Sequence, residues 1–133
     1  MILGIGIDIV EVARIRSSYE RFGKRFVERI LLPGEIDYCL SHRDPGPFLA
    51  VRFAAKEAVS KAFGTGIGRH LGWHDIEVLR RESGEPFILL HEKGKLLLEF
   101  RRGGNLHISL SHTSEHATAM AVLEALPSDF PRS

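Results

Sequence analysis

The sequence predicts a single α+β domain in which an antiparallel sheet packs against helices. Three observations carry that expectation. The chain opens and nearly closes on strand-like segments, helical periodicity fills most of the first half, and 133 residues with 44% apolar content suit one core. The domain is expected over residues 1–126, with a loose proline-bearing tail at 127–133.

The opening Met1-Ile-Leu-Gly-Ile-Gly-Ile-Asp-Ile-Val10 alternates, with Ile5, Ile7 and Ile9 on one face and Gly4, Gly6, Asp8 and Val10 on the other. This is a strand with one dense face and one bare one. Glycines beside Asp8 either leave a packing gap or admit a ligand or another backbone at close range. From Val12 the apolar residues Val12, Ile15, Tyr19, Phe22, Phe26 and Ile30 recur at helical steps, with a break expected near Gly23. The opposite face is basic, and Arg14, Arg21 and Arg25 fall on one side of it. Such a face is either a solvated surface or a seat for an acidic partner.

Pro33 suits the first turn of a short helix over 34–41, and Asp44-Pro-Gly-Pro47 is a turn before a longer helix over 48–63. Phe48, Val51, Ala55, Ala58 or Val59, and Ala62 form its buried stripe, which leaves Glu57 in line with Phe53 and Lys61. A hairpin is expected from strands at 75–80 and 86–90, then a helix over 92–101 ending at Gly103-Gly104. In the strand 106–111, Leu106, Ile108 and Leu110 turn inward and His107, Ser109 and Ser111 outward. The apolar run 117–123 reads as a strand covered on both faces.

The formal net charge of +1 provides no overall field toward nucleic acid or membrane, and few aromatics interleave with the arginines of the basic helix. The one cysteine, Cys39, cannot form an intramolecular disulfide and is expected as a packed thiol. No charged-then-apolar leader or long apolar span is present, so the expected compartment is the reducing cytoplasm.

Asp8 and Glu57 are the candidates for a paired-carboxylate magnesium site, because magnesium takes oxygen ligands and completes its shell with waters and substrate phosphates. Lys61, one turn beyond Glu57, would meet those phosphates. The bland alternative is an i,i+4 ion pair between Glu57 and Lys61. Gly64, Gly66 and Gly68 follow a helix instead of preceding one, so a helix C-cap competes with a phosphate contact. Ser111, His112 and Thr113 can donate hydrogen bonds to a phosphate, or the turn can be held by its own hydroxyls. A zinc site from His107, His112 and His116 is disfavoured, since the first two fall on opposite strand faces.

Taken in order, Gly4-Ile-Gly-Ile-Asp-Ile-Val-Glu11, Phe53-Ala-Ala-Lys-Glu-Ala58 with Lys61, and Ser109-Leu-Ser-His-Thr113 resemble the signature segments of the holo-acyl-carrier-protein synthase family, small members of the phosphopantetheinyl transferase superfamily. Arg29-Ile-Leu-Leu-Pro-Gly-Glu35 and Asn105-Leu-His-Ile-Ser109 extend the resemblance over nearly the whole chain. It implies the phosphopantetheinyl transferase-like fold and magnesium-dependent transfer of 4'-phosphopantetheine from coenzyme A to a serine of apo acyl carrier protein, with release of 3',5'-ADP, in fatty acid biosynthesis. It further implies Asp8 and Glu57 as metal ligands, Lys61 as an electrostatic catalyst, and Lys61, Gly66, Ser111, His112 and Thr113 at coenzyme A. Glu57 is then expected between Lys56 and Lys61, with the metal ligand and the phosphate-binding cations on one helical face. Arg14, Arg21 and Arg25 match the face that docks the acidic carrier, and the implied assembly is a homotrimer with active sites between subunits. Phe53 stands where many superfamily members have tryptophan, a change that keeps an aromatic packing residue. A rival reading keeps the surfaces without catalysis, as a module that binds phosphate or an acidic protein.

Overall fold

A computed structural model of the chain describes residues 1–127. Of the tail expected at 127–133, residues 128–133 therefore lie outside the described region. The order of elements is β1 (Ile2–Glu11), α1 (Val12–Phe22), α2 (Lys24–Ile30), α3 (Pro33–Leu40), α4 (Gly46–Phe63), β2 (Ile76–Arg80), β3 (Pro86–Leu90), α5 (Lys93–Phe100), β4 (Gly103–His112) and β5 (His116–Ala125). The α+β expectation holds: β1, β5 and β4 form an antiparallel sheet in that order, and β2 and β3 form a separate hairpin.

Helix α4 is the hub. Val51, Ala54, Ala55, Ala58, Val59 and Ala62 are all buried, so the helix is covered on most sides by β1, β5, α1 and the hairpin. Its small residues let neighbours approach, and β1 approaches furthest. A Cβ added at Gly4 would sit 1.8 Å from the Ala62 carbonyl oxygen, and one at Gly6 would sit 1.8 Å from that of Ala58. The bare strand face therefore admits another backbone, that of α4. At the far end of α4, Gly64 adopts φ 81 and closes the helix, as a C-cap glycine does. The Arg101 guanidinium clamps the same end to β1 by donating to the Phe63 and Leu3 carbonyls.

The other face of the sheet is open. Ile5, Ile7 and Ile9 are 60%, 63% and 68% exposed, and Met120 beside them is 44% exposed. This corrects the expectation that 117–123 is covered on both faces. Ala117, Ala119, Ala121 and Leu123 are buried toward α4, while Thr118, Met120 and Val122 face outward with Ser111, Ser109 and His107 of β4. Leu106, Ile108 and Leu110 do turn inward. The helical stripe after Val12 breaks at Gly23 (φ 57), and Phe22 at the break is half exposed instead of buried.

Lys56 and Glu35 form a fully buried ion pair at 2.7 Å. The Lys56 ammonium also donates to the Ile30 carbonyl (2.7 Å) and the Trp73 carbonyl (3.1 Å), and Glu35 accepts from the Leu32 and Val78 amides, each at 2.8 Å. Five segments thus meet at one satisfied charge pair. Burial pushes the Lys56 ammonium below the usual lysine range, and Glu35 acts against that shift. Cys39 is buried, as expected, and burial raises its thiol to about 11.

Gly6→Ala should lower stability by about 3 kcal/mol, since the strand cannot retreat from a helix backbone without losing its sheet partner. Gly34→Ala, which would meet nothing within 4 Å, should stay within about 0.5 kcal/mol of the parent. Urea unfolding of the two variants checks the contrast, and equal losses would contradict it.

Candidate active site

Asp8 sits on β1 two residues after Gly6, so the strand reaches α4 closely where that helix presents Glu57 and Lys61. The Lys61 ammonium lies 3.0 Å from Asp8 Oδ1 and donates to the Ile7 carbonyl at 2.9 Å. Lys61 is therefore turned to the strand, and the i,i+4 pair with Glu57 is not what holds it. Thr118 on β5 donates to the Asp8 carbonyl at 2.9 Å. Ile7, Asp8, Ile9, Lys61 and Thr118 line an open pocket of about 280 Å³.

Glu57 is half buried beside these groups. Burial, then the negative charge of Asp8, hold its carboxyl above the usual range, while Lys61 and Arg14 act in the opposite direction. A carboxyl held above its usual range by burial and a neighbouring carboxylate belongs to a donor set that a hard cation relieves. Among the described residues no group of three or more His, Cys, Asp or Glu could hold a metal. A pair fits magnesium, which commonly uses one or two carboxylates and leaves other positions to water and phosphate. It does not fit zinc, which wants about four N, S or O donors in a closed structural site. His107 instead meets Glu124 at 3.2 Å, and His112 faces the Phe48 ring at 5.6 Å.

Lys56 corrects the expectation that Lys56 and Lys61 flank Glu57 as phosphate-binding cations on one helical face. One residue along a helix turns the side chain by about 100°, and Lys56 points into the core at Glu35. The Gly66 amide, expected at a phosphate, donates to the Ser60 carbonyl at 3.2 Å and so serves the helix end. The C-cap reading is the one that holds there.

Ser111, His112 and Thr113 lie on and after β4, separated from β1 by the whole of β5. Ser111 pairs with Thr118, which pairs with Ile9. Among the described residues none of the three hydrogen-bonds to Asp8, Glu57 or Lys61. The Thr113 hydroxyl accepts from the Glu115 and His116 amides at 3.2 and 3.1 Å, so the turn is held by its own hydroxyl. Arg14, Arg21 and Arg25 are exposed on α1 and α2, and Arg14 is near enough to bear on Glu57. Arg25 borders a groove of about 340 Å³ whose floor includes Phe22 and Phe26 and whose rim includes Arg29. Phe22 and Phe26, which the periodicity places in the apolar stripe, line this groove on either side of the break at Gly23 instead of being fully buried in the core.

A paired-carboxylate cluster with an adjacent ammonium, set on a glycine-bearing strand and a central helix, carries the donor types that phosphate-group chemistry uses. The profile of the 4'-phosphopantetheinyl transferase superfamily matches residues 4–121, and the chain belongs to that family. The chain is 52% identical over 122 residues to the holo-[acyl-carrier-protein] synthase of Chlorobaculum parvum, covering 92% of this chain and 98% of that one. It is 48% identical over 124 residues to the enzyme of the same name from Koribacter versatilis, covering 93% and 99%. Among solved structures, Helicobacter pylori holo-[acyl-carrier-protein] synthase in complex with coenzyme A superposes with a TM-score of 0.81 at 38% identity, covering 90% of this chain and 99% of that one. The Neisseria meningitidis enzyme gives 0.87 at 35% identity, covering 93% and 99%.

Because the folded-state pKa of Glu57 is raised, its contribution to stability is present in full below the ordinary carboxylate pKa and is lost as pH rises through the folded value. Glu57→Gln should therefore raise the melting temperature of metal-free protein at pH 7.5, with the difference closing near pH 4. Thermal melts across that range check the sign, and a variant less stable at pH 7.5 would contradict it.

Proposed function

We propose that this chain transfers 4'-phosphopantetheine from coenzyme A to a serine hydroxyl of apo acyl carrier protein, with magnesium, releasing 3',5'-ADP. The observation that carries the reading is the Asp8, Glu57 and Lys61 cluster in a chain about half identical to enzymes of that name. The likeness to a coenzyme A complex supports the donor substrate.

Asp8 and Glu57 would hold the magnesium ion. When bound, the ion supplies positive charge that orients the pyrophosphate and offsets charge built up as the phosphoanhydride breaks. Lys61 adds a cation on the same side once the substrate phosphates compete with Asp8 for its ammonium. The carrier serine oxygen forms a bond to the phosphorus on the pantetheine side, the bond to the adenosine-side phosphate breaks, and 3',5'-ADP leaves. The serine proton passes to Glu57 or to a water held by it.

The separation of Ser111, His112 and Thr113 from Asp8 within one chain favours a site shared between copies, in which this segment of one subunit meets the coenzyme A phosphates held by its neighbour. The open sheet face supplies a reason to associate: Ile5, Ile7, Ile9 and Met120 form an apolar surface that a homotrimer would cover. The exposed arginines Arg14, Arg21 and Arg25 would receive the acidic carrier, with its apolar contacts made in the groove over Phe22 and Phe26. The cytoplasm is the compartment that suits these substrates.

Intact mass of apo acyl carrier protein incubated with the chain, coenzyme A and magnesium tests the reaction. One added phosphopantetheine, abolished by chelator and by Glu57→Ala, is the expected result. A folded protein that modifies none of several carriers would overturn the reading in favour of a binding module. For the assembly, Ile7→Glu should shift the particle from trimer to monomer in light scattering and remove turnover, and a trimer that survives the charge would sink the sheet-face interface.

A further inference from the structure

The contact between Lys61 and Asp8 sets the cation of the candidate site against one of its own ligands. The ammonium stands 3.0 Å from Asp8 Oδ1 and donates to the Ile7 carbonyl at 2.9 Å, so two oxygens of one strand hold it. The two side chains differ in freedom: that of Asp8 is 17% exposed and that of Lys61 49%. Lys61 is thus the partner that can swing away while Asp8 stays, and the open pocket that both line gives it room. An ammonium carries three donors, and a third remains beyond those given to Asp8 and Ile7 for an incoming oxygen.

The charges of the cluster point the same way. With both carboxyls ionised, Asp8, Glu57 and Lys61 together carry one net negative charge, and a divalent cation turns this into one net positive charge. The Arg14 guanidinium near Glu57 adds to that excess. A cation that enters at the other Asp8 oxygen, Oδ2, would still stand beside the ammonium, and like charges repel. A phosphate group relieves both conflicts. Its oxygens offer the ammonium an alternative to Asp8 Oδ1, and its negative charge offsets the excess.

We propose that Lys61 couples the two ligands of this site: it opposes cation binding at Asp8 until a phosphate group draws its ammonium away, so that the divalent cation and the phosphate-bearing substrate each strengthen the other's binding. The inference rests on the reading of Asp8 and Glu57 as a cation site and adds to it that neither ligand binds tightly alone. A lysine that served the phosphate only, without contact to Asp8, would leave cation binding nearly unchanged when no phosphate is present.

The test is Mn²⁺ binding in phosphate-free chloride buffer, followed by the loss of the free-ion signal in electron paramagnetic resonance, which needs no turnover. Without coenzyme A, Lys61→Met should bind Mn²⁺ about fivefold more tightly than the parent, or better, the scale of an ordinary coupling between sites. Arg14→Met removes a nearby cation that makes no contact with Asp8, and should change the affinity by less than about twofold because an exposed charge is screened. Saturating coenzyme A, after subtraction of the Mn²⁺ it binds by itself, should tighten binding in the parent and do so by a smaller factor in Lys61→Met. No Mn²⁺ binding by the parent with coenzyme A present would overturn the cation site and this coupling together. With binding there, three results would each overturn the coupling and leave the cation site standing: Lys61→Met no tighter than the parent without coenzyme A, Arg14→Met as tight as Lys61→Met, or an undiminished coenzyme A effect in Lys61→Met.

Discussion

The close approach of β1 to α4 is the constraint on which the site depends. Gly4 and Gly6 bring the strand against the carbonyls of Ala62 and Ala58, at a distance that no side chain fits. Asp8, two residues further along the strand, is thereby carried to the helix edge where Glu57 and Lys61 emerge. A strand set further out would leave the two carboxylates in separate solvent shells, and neither burial nor mutual charge would act on Glu57. The site owes its electrostatics to a backbone contact.

The buried Lys56 and Glu35 pair complements that contact from the other side of α4. It ties the helix to the end of α2, the start of α3, the turn at Trp73 and strand β2. Removing one partner of such a pair costs about 3–5 kcal/mol because the other charge stays buried. Two adjacent residues therefore divide their work: Lys56 fixes how α4 is turned, and Glu57 faces the strand as a result. The contrast with Arg52 is instructive, since that cation is equally buried yet has only an aromatic ring and one long hydrogen bond.

Most of the architecture was legible because each element carried a local signal. The Gly64 cap, the break at Gly23, the hairpin and the inward set Leu106, Ile108 and Leu110 all follow from turn chemistry or periodicity. Asp8, Glu57 and Lys61 were legible as residues, through glycines beside an acid and a shared helical line, and the structure brings them together. What periodicity could not give was the direction of each face. The isoleucines of β1 look like a core face, but the glycines opposite them are what α4 needs, so the isoleucines point outward. Lys56 looked like a surface cation because a sequence shows the charge and not its partner, and Glu35 is too far along the chain to suggest itself. The Gly66 amide was likewise readable as a free donor only while the end of α4 was unseen.

The account turns on Asp8 and Glu57 acting as one cation site. Titration of Mn²⁺ into the protein with coenzyme A present, followed by electron paramagnetic resonance, measures that directly as the loss of the free-ion signal. The account predicts one bound ion per site in the parent and a loss of binding in both Asp8→Asn and Glu57→Gln, with each variant still folded. Undiminished binding in either variant would contradict it and separate the two carboxylates.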